Sequence, residues 1–183
     1  VTPYSLAFYL DVVTTGTVLG ARPTDSPEQL TEILGTDYAE NVSGRHHMWR
    51  DHGLVEFFWE RGRPTDPWAG HHFTLQVHRL ARGRRSLVNA TLRDRYGRFA
   101  PRLRYDTLRR LLDRRGVPLV EIPEAAANVP YFRTFWQPDS RVAVRVIGTY
   151  GPYSTPDFLR VGDVYSIQAP VSGPGVAADG TTG

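Results

Sequence analysis

Leu54-Val55-Glu56-Phe57-Phe58-Trp59-Glu60 and, after a break, Phe73-Thr74-Leu75-Gln76-Val77-His78-Arg79-Leu80 are the stretches that decide the fold. Large apolar residues return at every second position: Val55, Phe57 and Trp59 in the first, Phe73, Leu75 and Val77 in the second. A period of two sends successive side chains to opposite faces of a strand. Both segments therefore read as half-buried strands, with Glu56, Phe58, Glu60, Thr74, Gln76 and His78 on the other face. Arg61-Gly62-Arg63-Pro64-Thr65-Asp66-Pro67 holds turn-forming residue types between them, and an antiparallel pair follows.

Upstream the period changes. Ser26-Pro27-Glu28-Gln29 before Leu30, Ile33 and Leu34 carries a capping box with proline in the first turn, and Gly35 offers a stop. Thr2-Pro3 opens an earlier helical pattern with Leu6, Leu10 and Val13 on one face, weakened by the β-branched run 12–15. Residues 36–47 are polar and read as a loop. Downstream, 86–92 reads as a short strand, 94–97 as a turn and 101–115 as a helix with Leu103, Leu108, Leu111 and Leu112 as its apolar stripe. Asp106 with Arg110 and Arg109 with Asp113 are spaced to pair on it. Strands are expected over 119–122, 131–136, 141–147 and 164–169, with an ordered turn over 149–156.

The order predicts an α+β domain over residues 1–170, an antiparallel sheet with helices packed on one face. Its halves, about 1–92 and 93–170, loosely repeat one plan without repeating residues. From 171 to 183, Ser, Gly, Pro, Ala and Thr without apolar periodicity predict a disordered tail. A chain of 183 residues, 40% hydrophobic and 22% charged, suits one such domain. With no cysteine, disulfides and thiolate metal sites are excluded. No apolar run approaches a bilayer span and the start lacks a basic signal region, so the expectation is a soluble cytoplasmic protein with no membrane partner.

The charge is unevenly spread. Between Arg79 and Arg115 lie thirteen arginines against Asp94, Asp106 and Asp113, which leaves a net of −7 for the remainder of a chain whose formal charge is +3. There is no lysine. A GC-rich coding bias accounts for arginine over lysine and not for the clustering. Such a segment binds something anionic or lies against the protein's own carboxylates. Tyr96, Phe99 and Tyr105 interleave with the arginines, a combination suited to single-stranded nucleic acid. No base-reading motif accompanies them.

All six histidines fall between His46 and His78. The adjacent pairs His46-His47 and His71-His72 would point to opposite faces of a strand, which argues against a metal site, and no cofactor-binding motif occurs. Glu56 and His78 on one face could act as a general acid–base pair, but no nucleophile elbow or phosphate loop accompanies them, so the reading is non-enzymatic. Trp49, Phe58, Trp68, Tyr150 and Tyr153, outside the core pattern, favour a binding surface over a pocket.

A further pattern joins these segments: Val18-Leu19-Gly20, Ser26-Pro27-Glu28-Gln29-Leu30 through Ile33-Leu34-Gly35, Trp49-Arg50-Asp51-His52-Gly53-Leu54-Val55-Glu56-Phe57, and Gln76-Val77-His78-Arg79-Leu80. Over residues 18–80 it resembles the small α+β immunity proteins of bacterial polymorphic toxin systems, and the helix and sheet plan is similar to β-lactamase-inhibitor-protein-like modules. The resemblance implies a protein that binds and occludes a toxin or enzyme, with no catalytic residues to transfer. The basic middle departs from the acidic immunity proteins that neutralise basic nucleases. The expected partner-binding residues are Glu56, Phe58, Glu60, Trp68, His71 and His78 on the sheet face and beside it, with Arg95, Arg98, Arg109 and Arg110 steering an acidic partner. The alternative is a nucleic-acid-binding domain using the basic segment.

Overall fold

In a computed structural model of the chain, residues 4–83, 87–152, 154, 155 and 157–173 are described. Helices α1 (Tyr4–Thr15) and α2 (Pro27–Leu34) precede strands β1 (Ala39–Ser43), β2 (His47–Asp51), β3 (Val55–Glu60) and β4 (Ala69–Leu75). Helices α3 (Ala90–Tyr96) and α4 (Tyr105–Arg114) precede β5 (Val120–Ile122), β6 (Phe132–Gln137), β7 (Val142–Ile147) and β8 (Val164–Ala169). The eight strands form one sheet in the order β1-β2-β3-β4-β8-β7-β6-β5, every neighbouring pair antiparallel. The fold is α+β. The middle seam is short, joining β4 to β8 through Phe73↔Ala169, Thr74↔Gln168 and Leu75↔Ile167.

One apolar cluster gathers buried side chains from the four α-helices and from one face of β3, β4, β7 and β8. Cross-strand register lines up Val55, Leu75, Ile167, Val144 and Phe135 across that face. Helix α1 is buried on several sides, through Leu6, Phe8, Tyr9, Leu10, Val12 and Val13, so its β-branched residues are held by packing rather than by helix propensity. In α2 the capping box forms in full: Ser26 Oγ accepts from the Gln29 backbone N–H at 3.3 Å, and Gln29 Oε1 accepts from the Ser26 N–H at 2.9 Å.

Several elements differ from expectation. Residues 36–47 are not a loop, because they include β1 and the start of β2, an outer hairpin whose polar residues suit an exposed edge. Of the expected strand over 86–92, the described residues 87–92 form no strand, and the expected turn at 94–97 is mostly helix α3. Asn89 caps that helix, its side chain accepting from the Thr91 N–H at 2.9 Å and donating to the Leu34 carbonyl at 3.1 Å. The cap therefore depends on a contact with α2 that local sequence cannot display. Helix α3 also spans the expected division at 92/93. The second strand ends at Leu75, not Leu80. Val77–Arg82 winds into a 3-10 helix that buries Val77 and Leu80, and the strand instead begins at Ala69.

Helix α4 starts at Tyr105 rather than at 101. The extended segment before it is held to the entry of β8 by Asp163, which is fully buried. Its carboxylate meets Arg104 at 3.0 Å and Arg102 at 3.7 Å and accepts from the Arg160 N–H at 2.9 Å. Asp163→Ala is expected to cost about 2–3 kcal/mol in chemical denaturation, less than a fully buried pair because both arginines reach solvent. A loss below 0.5 kcal/mol, roughly the scatter of surface substitutions, would contradict that structural role.

Val171, the first residue of the expected tail, is bonded to the sheet. The Val171 N–H donates to the Arg141 carbonyl at 2.7 Å, and Trp136 Nε1 donates to the Val171 carbonyl at 3.0 Å. The remainder of the expected tail, 174–183, lies outside the described residues.

Candidate functional site

The sheet face opposite the main cluster carries the second set of alternating residues. Its central row runs Asp51, Glu56, Thr74, Gln168, Ala143, Trp136 and Val120 in register. On the β1–β4 side the next row is Asn41, Trp49, Phe58 and His72, all half-buried. A satellite cluster of Phe132, Ile147 and Leu159, with Tyr165 packed on it, lies at the β6–β8 side.

Two β-bulges shape this face. Register shifts between Phe58 and Trp59, leaving His71 as the extra residue of β4, and again between Arg145 and Val146, leaving Tyr165 as the extra residue of β8. A bulge re-aims the side chain it carries. Simple alternation would send His71 and His72 to opposite faces. Instead their rings lie 4.5 Å apart with Nδ1 atoms at 2.7 Å, and His72 stacks on Phe58 at 4.2 Å. One ring must donate and the other accept in that contact. Burial, then the neighbouring His71, lowers the His72 pKa to about 4. Burial likewise lowers His71, against the pull of Glu60. Among the described residues no group of three His, Cys, Asp or Glu is arranged to hold a metal ion.

The expected site residues separate into two sets. Phe58, Glu60 and His71 stay together at one end of the face, whereas Trp68 packs against the main cluster, its ring under the Arg61 guanidinium at 4.0 Å. Glu56 does not present a free carboxylate. It is 7% exposed and bonds Arg79 Nη2 at 2.5 Å and Gln76 Nε2 at 2.6 Å, while Arg79 also reaches Asp51 at 3.1 Å and the Gly53 carbonyl at 2.8 Å. The first arginine of the basic segment is thus neutralised within the fold. His78 sits on the 3-10 helix and stacks on Tyr165 at 4.2 Å. Burial is the main cause of its lowered pKa. No hydrogen bond joins it to Glu56.

Arg95, Arg98, Arg109 and Arg110 lie elsewhere. Arg95 lies on α3 and Arg109 and Arg110 on α4, helices that bury Leu92, Tyr96, Leu108 and Leu112 in the main cluster, and Arg98 lies between them beside Phe99, which packs on the same cluster, so these arginines belong to the helical side and not to the Phe58 face. The basic segment is partly paired: Arg102 and Arg104 with Asp163, Arg109 with Asp113 at 3.8 Å, Arg115 with Asp11 at 3.5 Å. Asp106 and Arg110 form no ion pair. Tyr96 and Phe99 make edge-on contacts with Phe8 at 5.3 and 5.4 Å, and Tyr105 stacks on Phe135 at 4.1 Å. All three aromatic rings interleaved with the arginines are therefore engaged in packing. Tyr150 is exposed, and Tyr153 lies outside the described residues.

Sequence reasoning missed a second polar group on the face. Arg145 projects from β7 beside Thr134 and Ser166. Glu124 lies under it, accepting from Asn128 Nδ2 at 2.8 Å, the Ala125 N–H at 3.2 Å, Arg145 Nη2 at 3.3 Å, and Thr134 Oγ1. Burial pushes the Glu124 carboxyl up, but these hydrogen bonds and the Arg145 charge outweigh it and hold the group below the usual range. A cavity of about 280 Å³ opens here, lined by Ile122, Glu124, Thr134, Arg145, Ser166 and Gln168 among others. The available signal was one charged residue inside the apolar run Val142-Ala143-Val144-Arg145-Val146-Ile147.

No protein-family model, curated protein or solved structure matches this chain. Among the described residues no helix is long and apolar enough to cross a membrane.

Proposed function

We propose that this chain is a non-enzymatic binding protein of the immunity type, which occludes a partner protein, a toxin or an enzyme, with the sheet face that the helices leave uncovered. The observation that carries the reading is the row of half-buried rings Trp49, Phe58 and His72 on three adjacent strands. Aromatic side chains set side by side on a rigid sheet supply contact area at low entropic cost, and such residues are enriched among interface anchors. The engagement of Tyr96, Phe99 and Tyr105 in packing favours this reading over nucleic-acid binding, because it removes the stacking surfaces which that alternative needs.

The same reading treats the sheet as one plan used twice. Placing Thr74 on Gln168 makes Phe57 equivalent to Val144 and aligns the break at Phe58/Trp59 with that at Arg145/Val146. The two bulged residues, His71 and Tyr165, then coincide as well. What differs is the chemistry: an aromatic ring at 58 is matched by a guanidinium at 145. Such a platform would grip a partner with unlike ends.

The test uses the partner recovered with the wild-type chain. Trp49→Ala with Phe58→Ala is expected to weaken its binding by at least about 100-fold, as for the loss of two anchors. Arg109→Glu with Arg110→Glu is expected to slow association and flatten its salt dependence with little change in dissociation. Wild-type affinity in the aromatic pair variant would refute the docking face.

A further inference from the structure

We propose that the cavity around Arg145 receives a side-chain carboxylate, Asp or Glu, presented by the protein partner. The proposal rests on the reading of the uncovered face as the docking surface and names the chemistry of one anchor on it. A guanidinium carries five N–H donors. Among the described residues Arg145 makes one hydrogen bond, from Nη2 to Glu124 at 3.3 Å, and its Nε is shielded from solvent without an acceptor. Its other contact is with the Phe132 ring, 5.6 Å from Cζ to the centroid.

Glu124 does not use up this capacity. Its oxygens already accept from Thr134, Asn128 and the Ala125 N–H, so the carboxylate is satisfied apart from Arg145. Its effect on Arg145 is to fix the guanidinium from below. Thr134 and Ser166 flank Arg145 in register, and Gln168 lines the same cavity. Ile122 and Pro123 form an apolar wall beside them. A carboxylate entering there can accept a bidentate pair from the guanidinium fork, the geometry that distinguishes arginine from lysine. The cavity, about 280 Å³, admits one such side chain.

The experiment uses the intact chain and needs no partner. The Arg145 Nε–Hε resonance, assigned by its disappearance in Arg145→Lys, is followed while N-acetyl-glutamate methylamide or its glutamine counterpart is added. The expected result is a saturable shift with the glutamate probe, with a Kd on the order of millimolar, and at least about tenfold weaker binding of the glutamine probe. No shift at Arg145, or equal response to both probes, would overturn the proposal. If the Trp49 and Phe58 variant nevertheless loses the partner, the docking face stands without an acidic anchor, and the two readings are separated.

Discussion

Trp59→Ala is expected to lower the free energy of unfolding by about 4 kcal/mol, while Trp59→Phe costs about 1–2 kcal/mol. Trp59 is 1% exposed, and its ring packs near Phe57 on the inner face of β3. Truncation to alanine removes the transfer energy of a large ring and leaves a cavity, because close-packed neighbours relax only in part. It also strips the donor from a buried acceptor: Nε1 of Trp59 bonds the Asp25 carbonyl at 2.9 Å. Phenylalanine keeps most of the volume and loses the hydrogen bond, so the difference between the variants separates the two effects.

This site is tight because the turn carrying Asp25 sits directly on the sheet. Gly70, paired with Trp59 across the bulge, has no room for a Cβ, which would collide with the Pro23 carbonyl. Denaturant midpoints at unchanged m-value measure both variants. A loss below 1 kcal/mol for alanine would show that neither the packing nor the hydrogen bond is sustained in solution.

The second large effect is on pH. His52 is 4% exposed and packs on the Tyr38 ring at 5.3 Å, and among the described residues neither ring nitrogen has a hydrogen-bond partner. Burial, then the Arg50 charge, lowers its pKa to about 4, while the carboxylates of Asp51 and Asp37 pull the other way and lose. The unfolded chain, with an ordinary imidazole near pH 6.5, binds the proton more readily than the folded one. The stability this neutral histidine supports is therefore present above about pH 6.5 and is lost as pH falls toward 4.

The loss is on the order of 3 kcal/mol for His52, and His72 adds to it with the same sign. The measurement is the unfolding free energy between pH 7 and pH 4 for wild type and His52→Gln. The wild-type curve should fall more steeply, and the two should run parallel below pH 4. Parallel curves throughout would mean that His52 titrates as in the open chain.

The parts of the fold legible in the sequence are those where local pattern and packing agree. Alternation in β3, the capping box of α2, the leucine stripe of α4 and the apolar run of β7 fall in that class. Helix α3 was hidden because its cap, Asn89, bonds the end of α2 more than fifty residues away. Strand β4 was displaced because Gly70, His71 and His72 carry loop-like residues into a bulged strand, while Val77 is buried from a 3-10 turn and mimics alternation. The aromatic end of the candidate face was legible as outward positions. The Glu56–Arg79 pair and the Glu124–Arg145 pair were not, since each joins a strand residue to one outside the strands about twenty residues away.

Among the described residues the last strand in chain order, β8, lies at the centre of the sheet, between β4 and β7. During synthesis the first four strands can assemble while β4 still presents its free backbone edge, with Phe73 and Leu75 along it, and the following strands leave β7 equally open. Only when residues 164–169 clear the ribosome can one short segment close both edges. Until then the nascent chain carries two templates for pairing with other molecules.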